Sequence, residues 1–150
     1  MSRDWQSLIY NGIPLARAMQ VAFRSLPDGR VSLDAPLAPN VNDKGTGFGG
    51  SIAALATLAG WVETQRQLDL AGLESAVEIV VQRGETTYLL PVSGAFSATA
   101  RCPDESERER FLRIFRRKGT ARLAVTVELC CEARVVARFS GEYVARRTDA

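Results

Sequence analysis

A glycine-punctuated loop that runs directly into an apolar segment constrains the fold of this chain more than any other feature. Residues 40–50 contain four glycines, two asparagines, an aspartate and a lysine, whereas residues 51–62 are almost wholly apolar and rich in alanine. Glycine suits positions where the backbone takes a positive φ or closely approaches a ligand. Unpaired N–H groups at a helix start can bind an oxygen or an anion. The sequence therefore predicts a loop leading into a buried helix, with any active site at this junction.

Small residues form a stripe along the predicted helix. Gly49, Ala53, Ala56 and Gly60 recur at spacings of four, three and four, so they share one face and permit another backbone, most simply a sheet, to approach closely. Larger apolar residues cover the remaining surface until polar side chains begin at Glu63. A helix that is apolar all round is buried, and this run is too short and too rich in glycine for a membrane span.

The absence of histidine limits the possible chemistry. The 150 residues contain no His and three Cys, so a single chain can hold no Ser-His, Cys-His or His-metal site. The cysteines, at positions 102, 130 and 131, have no metal-ligand spacing, and their odd number argues against a disulfide framework. Any reaction must use carboxylates, amides, hydroxyls, backbone dipoles and water. The sequence indicates neither a metal nor a cofactor.

Length and charge set the expected organisation and location. Residues 1–150 are expected to form one domain with a substantial core. The net charge of +2 gives no argument for nucleic-acid binding. Because no signal peptide or transmembrane segment is visible, we expect a cytoplasmic protein without a membrane partner.

Alternating segments on both sides of the long helix predict the other elements. A short amphipathic helix over residues 4–10 and two short strands precede it. Four strands follow, with one further helix over residues 103–118, where Ser106 and Glu109 suggest a capping box. Gly84 predicts a bulge or a kink in the first of the later strands, and residues 146–150 are expected to be a frayed tail. An antiparallel sheet wrapped around one long central helix satisfies this order and gives an α+β fold class.

The order of elements and two motifs resemble the hotdog fold. The motif N-x-x-G-x-x-F-G-G, from Asn42 to Gly50, is similar to the signature of hotdog thioesterases of the phenylacetate-degradation type. The motif Y-L-x-P-V, beginning at Tyr88, resembles the strand motif that follows in the same families. More specifically, L-A-P-N-x-N-D-K-G-T-x-F-G-G-S followed by A-L-A-T-L-A-G-W is similar to the thioesterase domain at the C-terminus of YiiD-type proteins.

This resemblance implies hydrolysis of an acyl thioester of coenzyme A or of an acyl-carrier protein, without a cofactor. In hotdog thioesterases the thioester carbonyl lies at the helix N-terminus, where a backbone N–H from the glycine pair binds the oxyanion and a carboxylate activates water or attacks directly. In the phenylacetate type, the catalytic aspartate lies eight residues after the first glycine of the pair. That position is Thr57 here, and a neutral hydroxyl cannot replace a carboxylate as the base.

A different carboxylate is therefore required, and the nearest one lies in the loop. We hypothesise that Asp43 is the base or nucleophile, that Asn42 orients water or the carbonyl, and that the N–H of Gly49 or Gly50 binds the oxyanion. Thr57 would contact the thioester or a water molecule. The other residues expected to contact the substrate belong to the same loop: Asn40, Lys44, Gly45, Thr46 and Phe48.

Each candidate also has a structural interpretation. Asn42 and Asp43 could form a turn, because such side chains hydrogen-bond their own backbone. Thr57 could be a buried hydroxyl bonded to the preceding turn, and the glycines could serve packing. The alternative function is a non-catalytic acyl-CoA-binding or dimerisation module of the same fold. The resemblance and the apolar helix together favour a homodimer or a dimer of dimers.

Overall fold

Six antiparallel strands form one sheet in the computed structural model, which describes residues 3–73 and 75–148. In chain order the strands are β1 (Ala22–Ser25), β2 (Val31–Ala35), β3 (Val77–Tyr88), β4 (Phe96–Ala100), β5 (Thr120–Cys131) and β6 (Arg134–Arg147). Across the sheet the order is β1-β2-β4-β5-β6-β3, with every neighbouring pair antiparallel. The insertion of the later strands between β2 and β3 places β3 at one edge of the sheet.

In the described part of the chain, four α-helices accompany the sheet, and the longest one organises the core. They are α1 (Trp5–Gly12), α2 (Pro14–Ala18), α3 (Gly49–Leu70) and α4 (Glu105–Lys118). The 22-residue α3 packs against β2, β3, β4, β5 and β6. This arrangement confirms the α+β class and the hotdog fold predicted from the sequence.

Close contact between α3 and the sheet depends on Gly60. The side chain of Tyr143 on β6 is completely buried, and its hydroxyl donates a hydrogen bond of 2.7 Å to the Thr57 carbonyl. A Cβ atom at Gly60 would lie only 2.2 Å from that hydroxyl oxygen. Burial raises the pKa of Tyr143, so the hydroxyl stays protonated and remains a donor. The predicted role of small residues in the approach to the sheet is confirmed at this position.

Polar side chains begin at Glu63 in the sequence of α3, and four of them are nevertheless buried: Glu63, Thr64, Gln65 and Gln67. The Glu63 side chain is only 2% exposed, and its two oxygens accept bonds of 3.0 Å each from Arg66. Gln67 donates to Glu63 at 2.6 Å and accepts from Arg108 of α4 at 2.7 Å. This network satisfies the buried carboxylate, which would otherwise be costly to remove from water.

The bulge in β3 lies two residues before its predicted position. The register with β6 shifts between Val81 and Arg83, whereas Gly84 pairs regularly with Gly141. A Cβ atom at Gly84 would lie 3.0 Å from the ring of Phe139. The prediction of a bulge at Gly84 was wrong because this glycine makes room for an aromatic ring instead.

The predicted capping box of α4 is also wrong. The helix begins at Glu105, so Ser106 lies inside the first turn, and the N-cap residue is Asp104, which makes no side-chain capping bond among the described residues. The C-terminal end follows the sequence prediction, since Gly119 takes a φ of 75° and donates to the Phe115 carbonyl.

The predicted fraying of the tail is wrong for its first two residues. Arg146 and Arg147 belong to β6, and the Arg147 N–H donates to the Gly119 carbonyl at 2.8 Å. The guanidinium of Arg147 also stacks over the ring of Phe115 at 4.8 Å from its centroid. Residues 149–150 lie outside the described residues.

Candidate active site

The loop before α3 is organised by the side chain of Asn42. Its Oδ1 accepts hydrogen bonds from the backbone N–H groups of Lys44 (2.8 Å) and Thr46 (3.1 Å). Its Nδ2 donates to the Thr46 hydroxyl at 2.9 Å and to the Gly47 carbonyl at 3.3 Å. Because all of these bonds lie within the loop, the Asn42 amide acts as a turn-forming group, which is the structural interpretation given above.

Asn40 ties the same loop to the body of the protein. Its side chain is 1% exposed, and its Nδ2 donates to the carbonyl oxygens of Met19 (3.0 Å) and Pro36 (2.8 Å). Its own carbonyl accepts from the Phe48 N–H at 2.7 Å. The Oδ1 atom is buried without a hydrogen-bond partner among the described residues. Asn40 therefore fixes the point from which the loop departs.

The N-terminus of α3 offers two backbone donors. Phe48 is the N-cap residue and makes no side-chain capping bond to any described residue, while its carbonyl accepts from the N–H groups of Ser51 and Ile52. The N–H groups of Gly49 and Gly50 have no acceptor within the described part of the chain. Unpaired donors at a helix start, together with the helix dipole, favour an oxygen atom that carries negative charge.

A cavity of about 550 Å³ opens directly beside these donors. One wall is the loop and the first turn of α3, and the other is the chain segment that follows β3. The hydroxyl of Tyr88 donates a 2.8 Å hydrogen bond to the Gly49 carbonyl across the two walls. The lining is mostly apolar apart from backbone groups: Thr46, Gly47, Gly49, Gly50, Ile52, Tyr88, Leu89, Leu90, Pro91 and Val92.

The carboxylate predicted to act as the base lies outside this lining. The Asp43 side chain is 82% exposed and forms a 2.8 Å ion pair with Lys44, which is also exposed. Neither side chain lines the cavity. The Thr57 hydroxyl donates to the Ala53 carbonyl at 2.8 Å and is likewise absent from the lining. Among the described residues, no Asp or Glu lines the cavity.

The structure thus brings together only part of the predicted site. Thr46, Gly49 and Gly50 lie at the cavity, and the Phe48 ring packs against Gly50, where a Cβ atom would be 2.5 Å from the ring. Gly45 is an exposed turn residue with a φ of 85°. The segment from Tyr88 to Val92 also lines the cavity. No functional role was predicted for these residues, although the Y-L-x-P-V motif marks this segment in the sequence.

Comparison with known proteins identifies the family. A family model described as "Putative thioesterase (yiiD_Cterm)" matches residues 2–147. The chain belongs to this YiiD C-terminal thioesterase family. The match covers the whole site described above, from the loop to the Tyr88 segment.

Solved structures of similar proteins agree with the family assignment. A protein from Shewanella oneidensis that is described as a "putative thioesterase" is 34% identical, with a TM-score of 0.80 and coverage of 94% of each chain. A protein of unknown function from Chlorobaculum tepidum TLS is 29% identical, with a TM-score of 0.87 and coverage of 94% of this chain and 91% of that one. A Pseudomonas aeruginosa protein with 22% identity, a TM-score of 0.75 and 97% coverage of both chains shows the shared fold alone. No curated protein matches the sequence significantly.

Two further properties follow from the described residues. None of their helices is both long and apolar enough to span a bilayer. Within residues 3–73 and 75–148, no three His, Cys, Asp or Glu side chains converge in a way that could hold a metal ion.

Proposed function

We propose that this protein hydrolyses acyl thioesters of coenzyme A or of an acyl-carrier protein at the N-terminus of α3. The observation that carries this proposal is the pair of N–H groups at Gly49 and Gly50, which have no acceptor among residues 3–73 and 75–148 and border a largely apolar cavity. The thioester carbonyl would accept from these donors while the acyl group occupies the cavity. A donor aimed at the developing oxyanion contributes about 3 kcal/mol of transition-state stabilisation.

Asp43 remains our proposed base or nucleophile. It is the carboxylate closest along the chain to the glycine pair, and its ion pair with Lys44 is highly exposed, so it holds the carboxylate only weakly in place. The hydrogen bonds of Asn42 keep the loop rigid on either side of Asp43. In this proposal Asn42 acts by holding the loop, and Asp43 turns toward the cavity when substrate is bound.

A non-catalytic acyl-CoA-binding or dimerisation module is the second candidate function. It is favoured by the lack of a carboxylate in the cavity lining and by Thr57, which occupies the usual acid position and bonds back to Ala53. Such a module would use the same donors and the same cavity to hold a thioester without hydrolysing it.

Thiol release from a panel of acyl-CoA thioesters, short to long and including aryl members, tests the proposal. We expect turnover of at least one member, and Asp43→Ala is expected to lower kcat about 100-fold or more, as loss of a general base does. Asp28→Ala is the matched control. Asp28 is exposed and forms an ion pair with Arg30, as Asp43 does with Lys44, but it lies in the turn between β1 and β2. We expect it to keep wild-type turnover.

The possible outcomes separate the two candidate functions. Turnover that persists in Asp43→Ala would support the assignment as an enzyme but would exclude Asp43 as its base. No turnover by the wild type, together with thermal stabilisation by one acyl-CoA, would establish the binding module instead.

We also propose that the protein is a homodimer or a dimer of dimers. One edge of β3 has no strand partner among the described residues, and the strand carries Val80 and Val81 with exposed fractions of 56% and 44%. Leu89 and Leu90, which follow the strand, are also exposed. An unpaired strand edge that exposes two valines favours pairing with a second copy across a two-fold axis.

Light scattering of the purified protein tests this assembly. We expect a mass of two or four chains, and Val80→Lys should shift the population toward the monomer because a charge would be buried at the strand edge. A wild-type protein that is monomeric at micromolar concentration would contradict the proposal.

A further inference from the structure

Resting on the proposed hydrolysis, we infer that the hydroxyl of Tyr88 positions and polarises the oxyanion donor. Tyr88 ends β3, and its hydroxyl donates a 2.8 Å hydrogen bond to the carbonyl of Gly49, the first residue of α3. The Gly49 carbonyl and the Gly50 N–H belong to the same planar peptide group. A hydrogen bond to one end of this group therefore acts on the donor at its other end.

The bond has two consequences for the Gly50 N–H. It fixes the plane of the peptide, so the N–H of Gly50, a residue of the cavity lining, keeps one direction before substrate arrives. It also withdraws electron density from the amide, since hydrogen bonds in a chain polarise one another and strengthen the next donor. Both effects matter most when negative charge develops on the bound oxygen.

The surroundings of the glycine pair are shaped for this contact. A Cβ atom at Gly49 would lie 3.4 Å from the Tyr88 hydroxyl oxygen and 3.5 Å from two of its ring carbons. The phenol ring therefore lies beside Gly49, at a distance where a Cβ atom would make ordinary van der Waals contact with it. Gly50 is covered from another side by the ring of Phe48. Gly50 itself is exposed, so its N–H stays accessible to the oxygen of a substrate.

No other side chain of the described residues donates to the first turn of α3. Phe48 provides no side-chain cap, and the Asn42 amide makes its bonds before the helix begins. The Tyr88 side chain is 53% exposed, so its hydroxyl could bond to water as well as to Gly49. The contribution of this hydrogen bond to the free energy of unfolding is therefore small. If its role were purely structural, removing the hydroxyl would change neither stability nor activity by much.

Tyr88→Phe tests the inference because it removes the hydroxyl and keeps the ring. On the best thioester of the panel we expect kcat to fall about tenfold while KM stays within about twofold, the pattern of an interaction made chiefly in the transition state. The midpoint of thermal unfolding should not change measurably. The amide proton of Gly50 should move upfield in the NMR spectrum of the variant, because its peptide is less polarised.

Tyr10→Phe is the matched control. The Tyr10 hydroxyl likewise donates to a backbone carbonyl, that of Val21 at 2.6 Å, but it lies on α1 and outside the cavity lining. This variant should keep wild-type kcat and leave the Gly50 amide unmoved. The same result for Tyr88→Phe would overturn the inference, and so would a rise in KM at constant kcat, which would make Tyr88 a substrate contact only.

Failure of the proposed function gives a different result from failure of this inference. If the wild type hydrolyses no thioester of the panel, the proposed hydrolysis is rejected, and the proposed role of Tyr88 is rejected with it. If the wild type hydrolyses a thioester and Tyr88→Phe is equally active, only the proposed role of Tyr88 is rejected.

Discussion

Gly60→Ala is expected to destabilise the protein by about 4 kcal/mol, from overpacking together with a broken buried hydrogen bond. The new methyl group would lie 2.2 Å from the hydroxyl oxygen and 2.4 Å from the Cζ atom of Tyr143. The Tyr143 ring is completely buried and cannot move aside without breaking its bond to the Thr57 carbonyl. The better helix propensity of alanine, worth up to about 1 kcal/mol, offsets only part of this loss.

Urea unfolding of the variant measures this effect, and Gly12→Ala is the control. Gly12 ends α1, and a Cβ atom there would meet nothing within 4 Å. We expect a change of less than about 0.5 kcal/mol for this substitution, in the range of ordinary surface positions. Equal stabilities for the two variants would show that α3 does not approach β6 as closely as the structure indicates.

A double-mutant cycle identifies the clash as the cause. Tyr143→Ala is itself expected to be destabilising because it empties a buried site. Adding Gly60→Ala to that background should cost much less than it does in the wild type, since the atoms that it would strike are gone. Additive losses would point to a cause within the helix itself.

The sequence predicted the central helix well because its evidence is local. An apolar run with small residues at helical spacing requires burial against another backbone wherever the chain folds. It could not show which small residue is most tightly packed, because the clash at Gly60 depends on Tyr143, which is 83 residues away along the chain. The buried Glu63 was missed for the same reason, since part of its network comes from Arg108 on α4.

The candidate site was predictable where it consists of backbone and unpredictable where it depends on side-chain direction. Gly49 and Gly50 were expected as donors because a helix start leaves its first N–H groups unpaired, and because the resemblance to hotdog thioesterases implies an oxyanion contact from this glycine pair. The exposure of Asp43 could not be predicted, since a loop aspartate points to solvent or to a cavity according to the turn around it. The bond from Tyr88 to Gly49 joins residues that are 39 positions apart, and no spacing rule connects them.

Asn40→Asp is expected to cost about 4 kcal/mol at pH 7, because it converts a buried donor into an acceptor that faces two other acceptors. The Nδ2 atom of Asn40 donates to the carbonyl oxygens of Met19 and Pro36, and the side chain is 1% exposed. An ionised carboxylate would be repelled by both carbonyls, whereas a protonated one could donate to one of them. The folded state therefore raises the pKa of the introduced carboxyl above its value of about 3.9 in the unfolded chain.

The direction of this pKa shift determines how the loss of unfolding free energy depends on pH. A raised pKa in the folded state means that the folded variant binds the proton more tightly, so the protonated form is the more stable one. The difference in unfolding free energy from the wild type should be smallest below about pH 4 and should grow as pH rises through the folded pKa. Urea unfolding of both proteins from pH 4 to pH 8 measures this trend.

Asn42→Asp is the matched control within the same loop. The Nδ2 atom of Asn42 donates chiefly to the Thr46 hydroxyl, which can rotate and donate to the new oxygen instead. Because that site is only partly buried, we expect a loss of about 1 kcal/mol or less with little dependence on pH. A stable Asn40→Asp protein with weakened thioester binding would instead make Asn40 a substrate contact, as the sequence suggested. If the Asn40→Asp protein is less stable than the wild type in the absence of substrate, Asn40 is instead the anchor that positions the loop and its glycine donors.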